Sequence, residues 1–178
     1  MAFVALLRGI NVGGKNVLRM ADLRDVFIAE GCTDAQTFIQ SGNVVFRASK
    51  AVTTRLGARV TNAIEKRFGL RVPIVLRTCE ELERVIEKNP FLKKATDLKA
   101  LHVAFAADAP TPAQIATLDP NRSPPDTFEV RGREIYFMCP TGVGKSKLTM
   151  PYFDTKLGTV WTMRNWNTVQ ELAELAKD

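Results

Sequence analysis

Residues 36–47, QTFIQSGNVVFR, decide the fold. Two runs containing β-branched and aromatic side chains flank Ser41-Gly42, which suits a turn, so the stretch reads as a β-hairpin. Ahead of it, AFVALL (2–7) reads as a buried strand. MADLRDVFIAEG then places Met20, Leu23, Val26 and Phe27 on one helical face, with Gly31 as the stop. Behind the hairpin, VTTRLGARVTNAIEKRF has helical spacing at Leu56, Val60, Ala63, Ile64 and Phe68, and VPIVLR completes a fourth strand. The order is βαββαβ, the split βαβ unit of ferredoxin type.

The series recurs. Thr78 and Glu81 have capping-box spacing and open a connecting helix through Lys88, which Asn89-Pro90 ends. After a polar stretch to Lys99 come strand LHVAFA, a short helix from Pro112, and a hairpin of TFEV and EIYFM. A helical piece around Lys145 and strand TVWTM come next. Asn167 then caps a closing helix with Val169, Leu172, Ala173 and Ala176 on one face. The expected fold is α+β: two related ferredoxin-like halves with antiparallel sheets and a C-terminal helix. The expected division is 1–78, a connector at 79–99, and 100–178.

The chain of 178 residues is long enough to bury roughly 70% of its unfolded surface without staples. Its longest apolar runs are far too short to span a bilayer, and MAFVALL lacks a basic leader, so a cytoplasmic protein with no membrane association is expected. Cys32, Cys79 and Cys139 have neither disulfide nor zinc spacing, so reduced thiols are expected, with no metal site and no cofactor.

The net charge is +6, and it is unevenly spread. Residues 47–77 carry eight Lys and Arg with only Glu65 against them. Such a surplus favours an anionic partner, a small molecule or nucleic acid. Arg55, Arg59, Asn62 and Lys66 share one helix face by their spacing, a stripe that could track a nucleic-acid backbone or simply face solvent.

Two motifs suggest chemistry and fail on inspection. CPTGVGKS (139–146) has the end of a phosphate loop, but Cys139 replaces the first glycine and Pro151 should cut the following helix short. Gly142 and Gly144 read instead as a turn, with Ser146 capping the helix beyond it. His102 is the lone histidine and lies in an apolar strand, so a core or half-buried role is expected over a catalytic one. Whether the chain is an enzyme stays open.

The loop GINVGGKN (9–16) is the sharper expectation. In a βαββαβ sheet the first and third strands are expected to run parallel, with the second and fourth against them, so the end of strand one should lie beside the end of strand three and the start of strand four. That gathers Arg8, Arg47 and Arg71 around the loop. Gly13 and Gly14 let backbone approach a ligand, while Asn11, Lys15 and Asn16 add donors. Cations so placed repel one another without a counter-anion, and the bland alternative is a tight turn with basic side chains in water. Arg164 and Asn165, ahead of the closing helix, are a second candidate because helix N-termini attract anions.

LLRGINVGGKN with Met20 and Leu23, IQSGNVVF, TMRNWNTVQEL and the CPTGVGKSKL turn resemble the hallmarks of a bacterial family, domain of unknown function 1697. The resemblance implies a two-part α+β fold and no particular reaction. Function is therefore expected to be binding of an anionic ligand, nucleotide-like or nucleic acid. An enzyme acting on a phosphorylated or carboxylated small molecule, and a regulatory or scaffolding module without ligand, are the alternatives.

Overall fold

Strand β1 (Ala2–Leu7) organises the first half of the chain in the computed structural model, which describes residues 1–177. It pairs antiparallel with β3 (Asn43–Arg47), Val4 opposite Val45, and antiparallel with β4 (Ile74–Thr78), Val4 opposite Arg77. β2 (Thr33–Phe38) flanks β3, so the sheet order is β2-β3-β1-β4. Helices α1 (Met20–Ala29), α2 (Lys50–Thr53) and α3 (Leu56–Phe68) complete the βαββαβ series.

The strand directions correct one expectation. Helix α1 returns the chain, so β2 runs with β1 and the hairpin turns β3 back against it. The end of β1 therefore lies beside the start of β3, Leu6 opposite Asn43, and not beside its end. Arg47 stands opposite Ala2, at the far end of the sheet from the glycine loop. The helix expected as one piece from residue 52 is also broken. Arg55, at φ −127° and ψ 15°, separates α2 from α3.

Both faces of β1 are buried. Phe3, Ala5 and Leu7 join the core beneath α1 and α3, built with Leu23, Phe27, Val60 and Ile64. Val4 and Leu6 point the other way, and they too are fully buried. That is why AFVALL is apolar throughout, where a one-sided antiparallel strand would alternate.

α4 (Cys79–Glu87) follows β4 directly. Its capping box is present: Glu81 N–H donates to Thr78 Oγ1 at 3.2 Å, and Thr78 N–H to Glu81 Oε2 at 2.9 Å. The chain forms two compact units, Met1–Glu83 joined by the residues from Glu171 onward, and Arg84–Gln170. The division thus falls inside α4, and the end of the closing helix groups with the first unit.

The second unit repeats the plan. β5 (Leu101–Ala106), α5 (Pro112–Ala116), β6 (Thr127–Arg131), β7 (Glu134–Met138), α6 (Met150–Leu157) and β8 (Trp161–Asn165) form a sheet of order β6-β7-β5-β8. Its register reproduces the first. Arg77 faces Val4 and Arg164 faces Val103; Thr78 faces Phe3 and Asn165 faces His102. The Phe153 ring packs edge-on against Phe137 at 5.4 Å and Phe128 at 5.5 Å, and lies against Trp161 at 5.5 Å.

Three local expectations change here. The helical piece around Lys145 is a single 3-10 turn, Val143–Lys145. Pro151 does not truncate a helix but sits in the first turn of α6, where its missing N–H costs nothing. Ser146 does not cap α6, whose N-cap is Thr149. Its hydroxyl is buried, accepting from Leu148 N–H at 3.1 Å and donating to Ser123 Oγ at 3.4 Å.

The closing helix α7 (Trp166–Leu175) starts one residue after β8 ends, with no linker. Asn165, not Asn167, is the cap, accepting from Thr168 N–H through Oδ1 at 2.8 Å. Asn165→Ala should cost about 1 kcal/mol in chemical denaturation, whereas Asn167→Ala should stay within about 0.5 kcal/mol. Equal losses would place the cap wrongly.

Candidate functional site

The glycine loop braces itself. Asn11, at φ 53°, donates through Nδ2 to Leu18 O at 2.9 Å and Gln40 O at 2.8 Å, and accepts from Leu18 N–H through Oδ1 at 2.9 Å. Asn16 Nδ2 donates to Gly9 O at 2.9 Å. Gly13 and Gly14, at φ 57° and 74°, form the two-residue turn of a miniature hairpin closed by Lys15 N–H to Val12 O at 3.0 Å. Two successive positive φ values are what such a turn requires. The two asparagines are thus committed to the loop's own shape.

Of the cations expected there, the fold keeps three at one end. Arg8 N–H donates to Pro73 O at 3.0 Å, bringing Arg8 near the segment of Arg71, and Lys15 sits on the exposed hairpin tip. Arg47 is absent from this group and reaches Asp34 at 3.9 Å instead.

The α3 stripe is also partly committed. Arg59 Nε bonds Glu30 Oε2 at 2.8 Å, and its guanidinium donates to the Glu30 carbonyl. Arg55 and Lys66 are exposed.

CPTGVGKS lacks the strand-to-long-helix geometry of a phosphate loop. After β7 comes one 3-10 turn, and α6 begins only at Met150. Burial pushes the Cys139 thiol up to about 11, so it is protonated at neutral pH.

Arg164 is not a surface ligand group. It is buried, donating to Thr162 Oγ1 and Met163 O, both at 2.8 Å, and burial lowers its pKa to about 10. A guanidinium with that value stays charged at pH 7.

Its neighbour Asn165 opens onto a cavity of about 220 Å³ lined by Leu98, Lys99, His102, Asn165, Trp166 and Asn167. The juxtaposition follows from topology. β5 and β8 are adjacent, so His102 lies opposite Asn165, and the 3-10 turn Leu98–Ala100 leads directly into β5. Lys99 has no ion-pair partner among the described residues, and no carboxylate lines the cavity. Trp166 is 1% exposed and its indole N–H has no acceptor among the described residues. Burial lowers the pKa of His102, so the imidazole is neutral at pH 7.

The first unit offers an internal comparison. At the matching register, a cavity of about 200 Å³ is lined by Phe3, Leu76, Thr78 and Glu81 among others. There the Glu81 carboxylate already takes the Thr78 N–H, and Glu80 adds charge to the first turn of α4. In α7 the position of Glu81 is filled by Thr168, and the first turn carries no acidic residue. Of two equivalent helix starts, one holds its own anion and the other does not.

As lining of this cavity, Lys99 and Trp166 carried no expectation in the sequence, while His102 was expected in a core or half-buried role and Asn167 as a helix cap. Only the pairing of β5 with β8 places residues 98–102 beside 165–167, and no local spacing encodes that.

The architecture defines a class: two ferredoxin-like βαββαβ repeats in tandem with a closing helix. The chain belongs to the DUF1697 family, proteins of unknown function, whose model matches residues 1–136. It is similar in fold to the conserved bacterial protein SP0830 from Streptococcus pneumoniae, with a TM-score of 0.70 and 22% identity over 98% of each chain. No curated protein matches the sequence. No helix among the described residues is long and apolar enough to cross a membrane.

Proposed function

We propose that the protein binds a small anionic ligand in the cavity at the start of α7. One observation carries this reading: the cavity combines a cation, amide side chains and a helix N-terminus with no carboxylate on its wall. The first N–H groups of any helix lack intrahelical acceptors and carry the positive end of its dipole. In α4 the Glu81 carboxylate takes the N–H of the cap residue Thr78 and, with Glu80, sets negative charge against the dipole; in α7, with no acidic residue in its first turn, a ligand would supply that charge. Lys99 supplies the counter-charge, and Asn165, spent as acceptor through Oδ1, keeps its amide N–H groups for the ligand.

A small molecule fits better than a nucleic-acid backbone. Arg59, the middle of the basic stripe, is tied to Glu30, which takes one of its three cations from a phosphate backbone.

His102 adds a pH dependence whose sign is fixed. The neutral imidazole gains a proton when an anion lies beside it, because opposite charge favours the charged form. Affinity should therefore rise as pH falls through the ordinary histidine range and below, since burial holds its pKa down.

Calorimetric titration with inorganic phosphate and with acetate tests the reading. Lys99→Ala should weaken binding about tenfold, while Lys15→Ala on the glycine-loop tip should leave it unchanged. His102→Gln should flatten the pH profile. Binding that ignores Lys99 and fails with Lys15→Ala would move the site to the loop and overturn the proposal.

A further inference from the structure

A cavity of about 370 Å³ opens on the face of the first sheet that turns away from the core under α1 and α3. β2 lines it with Asp34 and Gln36, β3 with Val45 and Arg47, and the end of the closing helix with Leu175 and Ala176, all within the first unit. Alternation along β3 explains the placement: Val44 and Phe46 enter the core, so Val45 and Arg47 face the other way. The volume is that of an ordinary small-molecule site, roughly 300–1,000 Å³. No residue is shared with the cavity at the start of α7.

Opposite charges meet on this wall. Thr33 pairs with Arg47 and Gln36 with Val45, so β2 carries one residue more than β3 between the two pairings. The bulge includes Asp34, whose φ of 52° is left-handed. Bulges re-aim side chains, and here the Asp34 carboxylate comes to 3.9 Å from Arg47 Nε. That is an ion pair, but beyond hydrogen-bond distance. Among the described residues the Asp34 carboxylate accepts no hydrogen bond and the Gln36 side-chain amide has no partner. Val45 and Ala176, both buried, and half-buried Leu175 form the apolar part of the lining.

We infer that this cavity binds a free α-amino acid with an aliphatic side chain. The Arg47 guanidinium has the planar fork that suits a carboxylate, and the Asp34 carboxylate suits an ammonium group. Gln36 can donate to the one or accept from the other. Val45, Leu175 and Ala176 offer the aliphatic side chain an apolar surface. Charge spacing sets the class. In an α-amino acid the ammonium nitrogen and the carboxylate carbon flank a single carbon and stand about 2.5 Å apart. Protein charges 3.9 Å apart can be met together by ligand charges that close, whereas a molecule with its charges several carbons apart would have to fold back on itself. An exposed, loosely held ion pair contributes little to the fold, so a ligand that takes both charges gives up little.

The experiment is calorimetric titration of the full chain carrying Lys99→Ala, which weakens the cavity at the start of α7. L-leucine is compared with 4-methylpentanoate and 3-methylbutylamine, which keep one charge each, and with 5-aminopentanoate, which keeps both but sets them apart. L-leucine should bind saturably, and the other three at least tenfold more weakly. Asp34→Asn should weaken leucine binding about tenfold while leaving thermal unfolding nearly unchanged, because asparagine also tolerates left-handed backbone. Arg47→Gln should weaken it as much. Absence of saturable leucine binding, equal affinity for any of the three analogues, or leucine binding that survives both substitutions would each overturn the inference.

Discussion

Phe153→Ala is expected to destabilise the protein by about 3–5 kcal/mol. The ring is fully buried and touches Phe128, Phe137, Tyr152 and Trp161, with interplanar angles of 88°, 82°, 79° and 68°. Edge-on pairs of this kind contribute beyond their buried area, and no neighbour can fill the space four aromatic contacts leave behind. The substitution also loosens α6 from the sheet, since Phe153 and Leu157 are the residues that helix buries. Urea denaturation checks it. A loss below about 1.5 kcal/mol would mean the aromatic cluster is not the centre of this core.

Gly42→Ala comes next, at about 2–5 kcal/mol. Gly42 has φ 78°, and its carbonyl accepts from Leu7 N–H at 2.8 Å, locking the hairpin turn to the end of β1. A methyl there would stand 2.7 Å from Ile10 Cδ1 and 2.8 Å from Leu7 Cβ, and Leu7 Cβ is fixed to a central strand. Left-handed backbone costs roughly 1–2 kcal/mol and overpacking about 1–3 kcal/mol more. Gly13→Ala is the control. It shares the positive φ, at 57°, but nothing lies within 4 Å, so it should cost only the backbone share. Equal effects at the two positions would show that the contact with Ile10 does not matter.

Gly42 illustrates what the sequence makes legible. Turn residues and periodicity gave the βαββαβ order of both halves because most elements depend on neighbours within about ten residues, though the second helix of the second half was placed around Lys145 and is α6 (Met150–Leu157). The capping box of Thr78 and Glu81 was readable for the same reason. Errors arose where tertiary geometry overrides local pattern. The direction of β3 depends on how α1 returns the chain, and reading it as parallel to β1 misplaced Arg47 by the length of the sheet. Asn167 looked like a cap because it precedes the apolar run, yet β8 runs into α7 without a linker and makes Asn165 the last extended residue.

The proposed site was half legible. Asn165 stood out for its place before a helix, and the glycine loop stood out for its composition. That composition serves the loop's own turn, as the bonds of Asn11 and Asn16 show. Arg164 looked like a ligand group but is a buried donor to its own strand. Lys99 carried no signal, being one lysine among many, and His102, though the lone histidine, read as a core or half-buried residue because only the pairing of β5 with β8 sets it beside Asn165.

The chain has two tryptophans, and the fold gives their indole N–H groups opposite situations. Trp161 Nε1 donates to Asp154 Oδ1 at 2.8 Å, whereas Trp166 Nε1 has no acceptor among the described residues and belongs to the cavity wall. A nitrogen–proton correlation spectrum therefore shows two indole signals, assigned by Trp166→Phe, during titration with acetate. The account predicts that the Trp166 signal moves saturably, together with the amides of Lys99 and Asn167, while the Trp161 signal stays. Movement confined to Gly13, Gly14 and Lys15, with both indole signals still, would contradict it.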